Sequence, residues 1–238
     1  MAGLLTHDKA ENAKHIADYV KYLRTQYGKN GVRLKAAGIP SGEYVQFAHI
    51  VKRHKWLVID QELDLNADFD RGTKEHLLYH VSLIRNKLRY NNRLDLRIDM
   101  LVKQIEEMSP EQIRWALCLN TMAKNVCKQF KAWHLCPVGE FVLDEKLPAS
   151  SNLLAGFLVR MAIMVNYPEV FKGNLAMVYG VDDRHSNYYR VRVSQDEKDD
   201  GLLLADICAY VLGSLARDKD KAPRDHHMFK EILSVPMK

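Results

Sequence analysis

Residues 201–216, GLLLADICAYVLGSLA, hold a single charged side chain, Asp206. A carboxylate removed from water without a partner is costly, so Asp206 needs a cation, hydrogen-bond donors or a proton. If the stretch is one helix packed on a sheet, Asp206 faces inward and is placed to ligate a metal. If LLLA is a strand, Asp206 becomes the N-cap of a helix starting at Ile207. A third reading pairs Asp206 with a buried arginine. The choice among them governs how the second half of the chain is assembled.

Upstream of this stretch the pattern alternates. VGEFVLDEK reads as a strand ending at Asp144 and Glu145, SSNLLAGFLVRMAIMVNY as an apolar helix, and NLAMVYGVDD and NYYRVRVSQD as two strands. Asp182 and Asp183 read as turn residues between those strands. DHHMFKEIL closes the chain as a short helix. Alternating strands and helices predict a mixed α/β layer over 137–238.

The first part, 1–136, reads as mainly helical. HDKAENAKHIADYVKYLRTQY places Ile16, Tyr19, Val20 and Leu23 on one face, and GKNG closes the helix. SGEYVQFAHIVKRH is a second helix. The segment Val32 to His54 has the look of a helix-turn-helix around AAGIPSGE, where its Pro and Gly content fits a loop equally well. KWLVID reads as a short strand near 56–60 ending at Asp60, and ELDLNADFDRG as an acidic loop. Helices are expected over about 73–90 and 93–108, followed by one opening at Ser109. There SPEQ supplies an N-cap Ser109, Pro110 at the first helical position and Gln112 to complete a capping box. The two parts are expected as two regions or as one continuous domain.

The 238 residues are 47 % hydrophobic and 27 % charged, an ordinary balance for a folded domain. The apolar runs are shorter than a membrane span and the first residues turn polar too early for a signal peptide, so a cytoplasmic location without a membrane partner is expected. Cys118, Cys127, Cys136 and Cys208 form no C-x-x-C pair and read as reduced core residues. Ten histidines show no H-E-x-x-H or comparable metal spacing; His226 and His227 read as surface residues, Trp115 and Trp133 as core. No phosphate-binding glycine loop occurs.

Three aspartates recur in similar settings: LVID at Asp60, FVLD at Asp144 and LLAD at Asp206. Carboxylates brought together at strand ends are tolerated when Mg²⁺ or Mn²⁺ neutralises them, and a metal pair so held can drive phosphodiester cleavage. YYRVRVSQDEKDDGLLLADICAYVL also resembles the closing signature of the domain-of-unknown-function family 3800. Gly201, Leu202, Leu204, Ala205, Asp206 and Ala209 match, while Leu203 stands where that family has Gln. The resemblance implies an RNase H-like mixed sheet in the C-terminal half, metal ligation by Asp206, and a corresponding acidic strand end at Asp144. The family's opening Asp-Glu-Ser-Gly string is absent, and Asp60 in LVIDQEL stands nearest to it.

Net charge is +5, compatible with a polyanionic partner. Arg85, Arg89, Arg93 and Arg97 stand at i, i+4 steps and on one continuous helix would line up as a phosphate-binding stripe. The competing reading is a salt-bridged face containing Asp95 and Asp99, with Asn91 and Asn92 interrupting the helix. The run of Lys52, Arg53, His54 and Lys55 reads as an ordinary exposed cluster. The combined expectation is a Mg²⁺- or Mn²⁺-dependent nuclease-like hydrolase of DNA or RNA, with Asp60, Asp144 and Asp206 as metal-binding catalytic residues. The alternative is a non-catalytic nucleic-acid-binding, packaging or regulatory protein of a virus or mobile element, in which the acids serve only structure.

Overall fold

The computed structural model describes residues 2–6, 9–29, 32–60, 67–87, 92–132, 139–144, 152–171, 178, 189–194 and 199–234. Helices are α1 (Lys9–Tyr27), α2 (Ser41–Arg53), α3 (Ala67–Lys87), α4 (Asn92–Glu107), α5 (Pro110–Ala132), α6 (Asn152–Asn166), α7 (Pro168–Phe171), α8 (Asp200–Arg217) and α9 (Arg224–Ser234). Strands are β1 (Ala2–Leu5), β2 (Leu57–Asp60), β3 (Gly139–Asp144) and β4 (Tyr189–Ser194). The chain divides into two units, one of Met1–Glu62 with Ser194–Lys238 and one of Leu63–Val193.

In the first unit, α8 is the central element. Its side chains at Leu203, Leu204, Ile207, Cys208 and Val211 are buried, and the helix packs against α1, β1, β2, α9 and a 3-10 turn at Ala36–Gly38. A helix apolar around most of its circumference belongs in a core, and neighbours on several sides explain the apolar run. Trp56, Phe47, Phe229, Val20 and Leu23 complete the same core. Asp199 caps α8, its side chain accepting from the Gly201 N–H at 3.0 Å. Arg24 of α1 reaches the first turn of α8, pairing with Asp200 at 2.7 Å. β1 runs antiparallel to β2 in the register Ala2 with Asp60 through Leu5 with Leu57. After α1, Gly28 is required by close approach, since an added Cβ would collide with the Arg24 carbonyl oxygen.

The second unit packs α5 on α6 and α3 on α4 around Val81, Ile98, Leu101, Ile105, Leu119, Phe157 and Ile163. Its helix starts follow local chemistry. At α5 the Ser109 N–H donates to Gln112 Oε1 at 2.8 Å, and the Gln112 N–H donates to Ser109 Oγ at 3.3 Å, the reciprocal capping box expected from SPEQ. β3 and β4 form a separate two-stranded sheet, with Phe141, Leu143 and Val191 against the helical core. Arg160 of α6 donates to the Val178 carbonyl at 2.7 Å.

The expected RNase H-like mixed sheet is not what forms. The described residues are mostly helical, and their strands make two small two-stranded sheets. The strands ending at Asp60 and Asp144 do not share a sheet: β2 pairs with the N-terminal AGLL strand, β3 with YRVRVS. The expected acidic loop also turns helical from Ala67, because acidic residues are favoured at helix starts as well as in loops. NLAMVYGVDD lies outside the described residues except for Val178. Among the described residues no helix is long and apolar enough to cross a membrane.

Candidate functional site

Asp206 is half-buried in the second turn of α8, so it is not the cap of a helix starting at Ile207. Its Oδ2 accepts the Ala36 backbone N–H at 3.2 Å, at the start of the 3-10 turn. That amide belongs to a buried residue and would otherwise lack an acceptor. Beside it, Tyr44 donates toward the carbonyl oxygens of Ala36 (2.8 Å) and Ile39 (2.9 Å), pinning the turn to α2. Burial, then Tyr210 and then Asp206 push the Tyr44 hydroxyl up to about 12. It stays a protonated donor at neutral pH.

The other expected ligands are distributed along the fold. Asp60 ends β2 as an exposed residue, and its charge, after burial, helps push the Cys208 thiol upward. Asp144 is half-buried at the end of β3 and belongs to the second unit. Among the described residues no three His, Cys, Asp or Glu side chains converge as a metal-ligand set. Arg85 lies in α3, whereas Arg93 and Arg97 lie in α4, so the four arginines do not share one continuous helix. Arg89 lies outside the described residues, as do Asp182, Asp183, Trp133 and Cys136. Arg97 is half-buried.

A basic turn joins α2 to β2, and its backbone is unusual. The Lys55 N–H donates to the Lys52 carbonyl at 3.2 Å and the Trp56 N–H to the Val51 carbonyl at 2.9 Å. This pair of bonds is the Schellman closure, in which the residue after the cap adopts a left-handed conformation normally given to glycine. Here that residue is Lys55, with φ of +54°. Residues 44–59 carry Lys52, Arg53, Lys55, His49 and His54, and no acid. Lys52 and Arg53 have a local reason to be there, since cations complement the negative end of a helix dipole. Lys55 stands where its own side chain costs stability.

The turn borders a depression of about 230 Å³ with an apolar floor that includes Val51, Trp56, Leu212 and Leu233. Its polar groups are Lys52, Lys230, Asp60 and Ser234, two cations against one carboxylate. Lys52 also donates to the Ile232 carbonyl at 3.3 Å, near the end of α9. Trp56 is fixed from behind by its indole N–H bond to Asn12 Oδ1 and by stacking with His54 at 5.3 Å. The turn is therefore anchored to the core through the buried Trp56.

Two further clusters escape the sequence pattern. Glu43, only 6 % exposed, accepts from Tyr27 (2.7 Å) and Tyr22 (3.0 Å) at Oε1, tying α1 to the first turn of α2. Tyr19, Tyr22 and Tyr27 at i, i+3 and i+8 on α1 are the signal that points to it. Bonding to Glu43 is the largest influence raising the Tyr27 pKa, whereas for Tyr19 burial is the largest. His226, expected on the surface, is 2 % exposed between Tyr44 (5.3 Å) and Tyr210 (5.7 Å). Cys127 and Cys208 are buried and Cys118 half-buried, all free thiols, and burial raises the pKa of each. Comparison of the chain with protein-family models, curated proteins and solved structures gives no match.

Proposed function

We propose that the protein is a non-catalytic nucleic-acid-binding protein that holds the phosphate backbone at the α2–β2 turn. The observation that carries this is Lys55, a cation kept in a left-handed position where glycine would be more stable. Around it the turn offers Lys52 and Arg53, Lys230 of α9 adds a second cation to the depression against the single carboxylate of Asp60, and the net charge of +5 favours a polyanion. The bond from the Ala36 N–H to Asp206 also gives that carboxylate a structural role, which supports binding without catalysis over metal-dependent cleavage.

The test is a binding and cleavage assay on labelled single- and double-stranded DNA and RNA, with and without Mg²⁺ or Mn²⁺. Retention of intact nucleic acid that weakens steeply with salt and does not require the divalent ion is expected. Cleavage that requires Mn²⁺ and vanishes in Asp206→Asn would replace this function with a nuclease. Absence of binding at low salt would overturn it.

A further inference from the structure

We infer that His76 and His80 on α3 form a two-imidazole site for a divalent transition-metal ion, Cu²⁺ first and Ni²⁺ second. The pair lies in HLLYH, at the i, i+4 spacing that puts two side chains on one helix face. This i, i+4 pair corrects the expectation that the histidines show no metal spacing comparable to H-E-x-x-H. In the structure the two Nε2 atoms are 3.0 Å apart, with the rings 89° to one another and their centroids 4.3 Å apart.

That separation is within reach of a single metal ion. With metal–nitrogen bonds of about 2.05 Å, two donors 3.0 Å apart subtend an angle of about 94°. Neighbouring positions of a square-planar or octahedral ion lie near 90°, whereas tetrahedral coordination needs donors about 3.3 Å apart. Two nitrogens 3.0 Å apart can occupy neighbouring positions on one ion, and the affinity order of divalent ions places Cu²⁺ ahead of Ni²⁺ and Zn²⁺. Without a metal, the two ring nitrogens at this distance share a proton, one ring donating Nε2–H to the other. A cation replaces that shared proton and uses both lone pairs.

His76 is exposed and His80 half-buried, so an ion has an approach from solvent. Among the described residues no third His, Cys, Asp or Glu joins the pair, so water completes the coordination. The result is an open site that leaves positions for an exchangeable ligand.

Calorimetric and electron-paramagnetic-resonance titration of the full chain with Cu²⁺ tests the site. One equivalent should bind with a two-nitrogen equatorial signature, and Zn²⁺ should bind more weakly. His76→Gln and His80→Gln should each lower Cu²⁺ affinity at least about tenfold, with unchanged far-ultraviolet circular dichroism. His227→Gln should leave it as in the wild type. Retention of affinity and of the two-nitrogen signature in the double variant would overturn the inference, as would the absence of that signature in the wild type.

Discussion

Asp206 accepts a backbone amide from a residue 170 positions away in the chain, and that single bond defines what its replacement should do. Asp206→Asn keeps an oxygen acceptor in place and should cost little. Asp206→Ala strands the Ala36 N–H in a buried position and should cost about 1–3 kcal/mol. Denaturant unfolding of the two variants checks this, and equal losses would contradict the assigned role. The need for a partner was legible in the apolar run around Asp206. The partner was not, because nothing local connects residue 206 to residue 36. His226 was misread for the same reason, as its burial depends on Tyr44 and Tyr210, which come from other helices. Lys55 left no signal at all: the motif that demands a left-handed residue is normally recognised by its glycine, and KRHKW has none.

At the scale of elements, periodicity and capping did better. The Ser109–Gln112 box fixes the start of α5 through two reciprocal bonds. Ser109→Ala should therefore cost about 1 kcal/mol, read from the shift in thermal or denaturant midpoint. No change would show that the cap is replaced by solvent. Helices α1, α2, α6 and α8 follow the apolar spacing of their sequences, since 3.6-residue periodicity is a local property. β1 escaped because AGLL is too short to show alternation; it becomes a strand only through its register with β2. ADFDRG escaped because acidic residues are common to loops and helix starts.

For the whole molecule, strands β2, β3 and β4 were legible and their pairing was not. LVID and FVLD have strand composition, but sheet membership depends on which distant segment presents a free edge. Among the described residues each strand has one neighbour, so these sheets have two strands and helices make most of the cores. One consequence is acid sensitivity in the first unit. Burial is the largest influence lowering the pKa values of His54 and His226, and for His226 it outweighs the opposing Asp225. Below the ordinary histidine value of about 6.5 the unfolded chain binds protons that the folded unit resists, so stability should fall as pH drops through that value and level off above it. Thermal melts between pH 5 and 8 check the direction; a midpoint that rises on acidification over this range would contradict it.

The claim that the α2–β2 turn holds nucleic acid meets its most direct test in Lys55→Gly, with stability and binding measured on the same protein. Glycine removes the left-handed strain, so the variant should be more stable by about 1 kcal/mol. The same change removes one phosphate contact, so binding to DNA or RNA should weaken, and the slope of log affinity against log salt should become shallower by roughly 0.7–0.9. A variant that is more stable and binds less tightly is the predicted result. An unchanged affinity and salt slope would contradict the account.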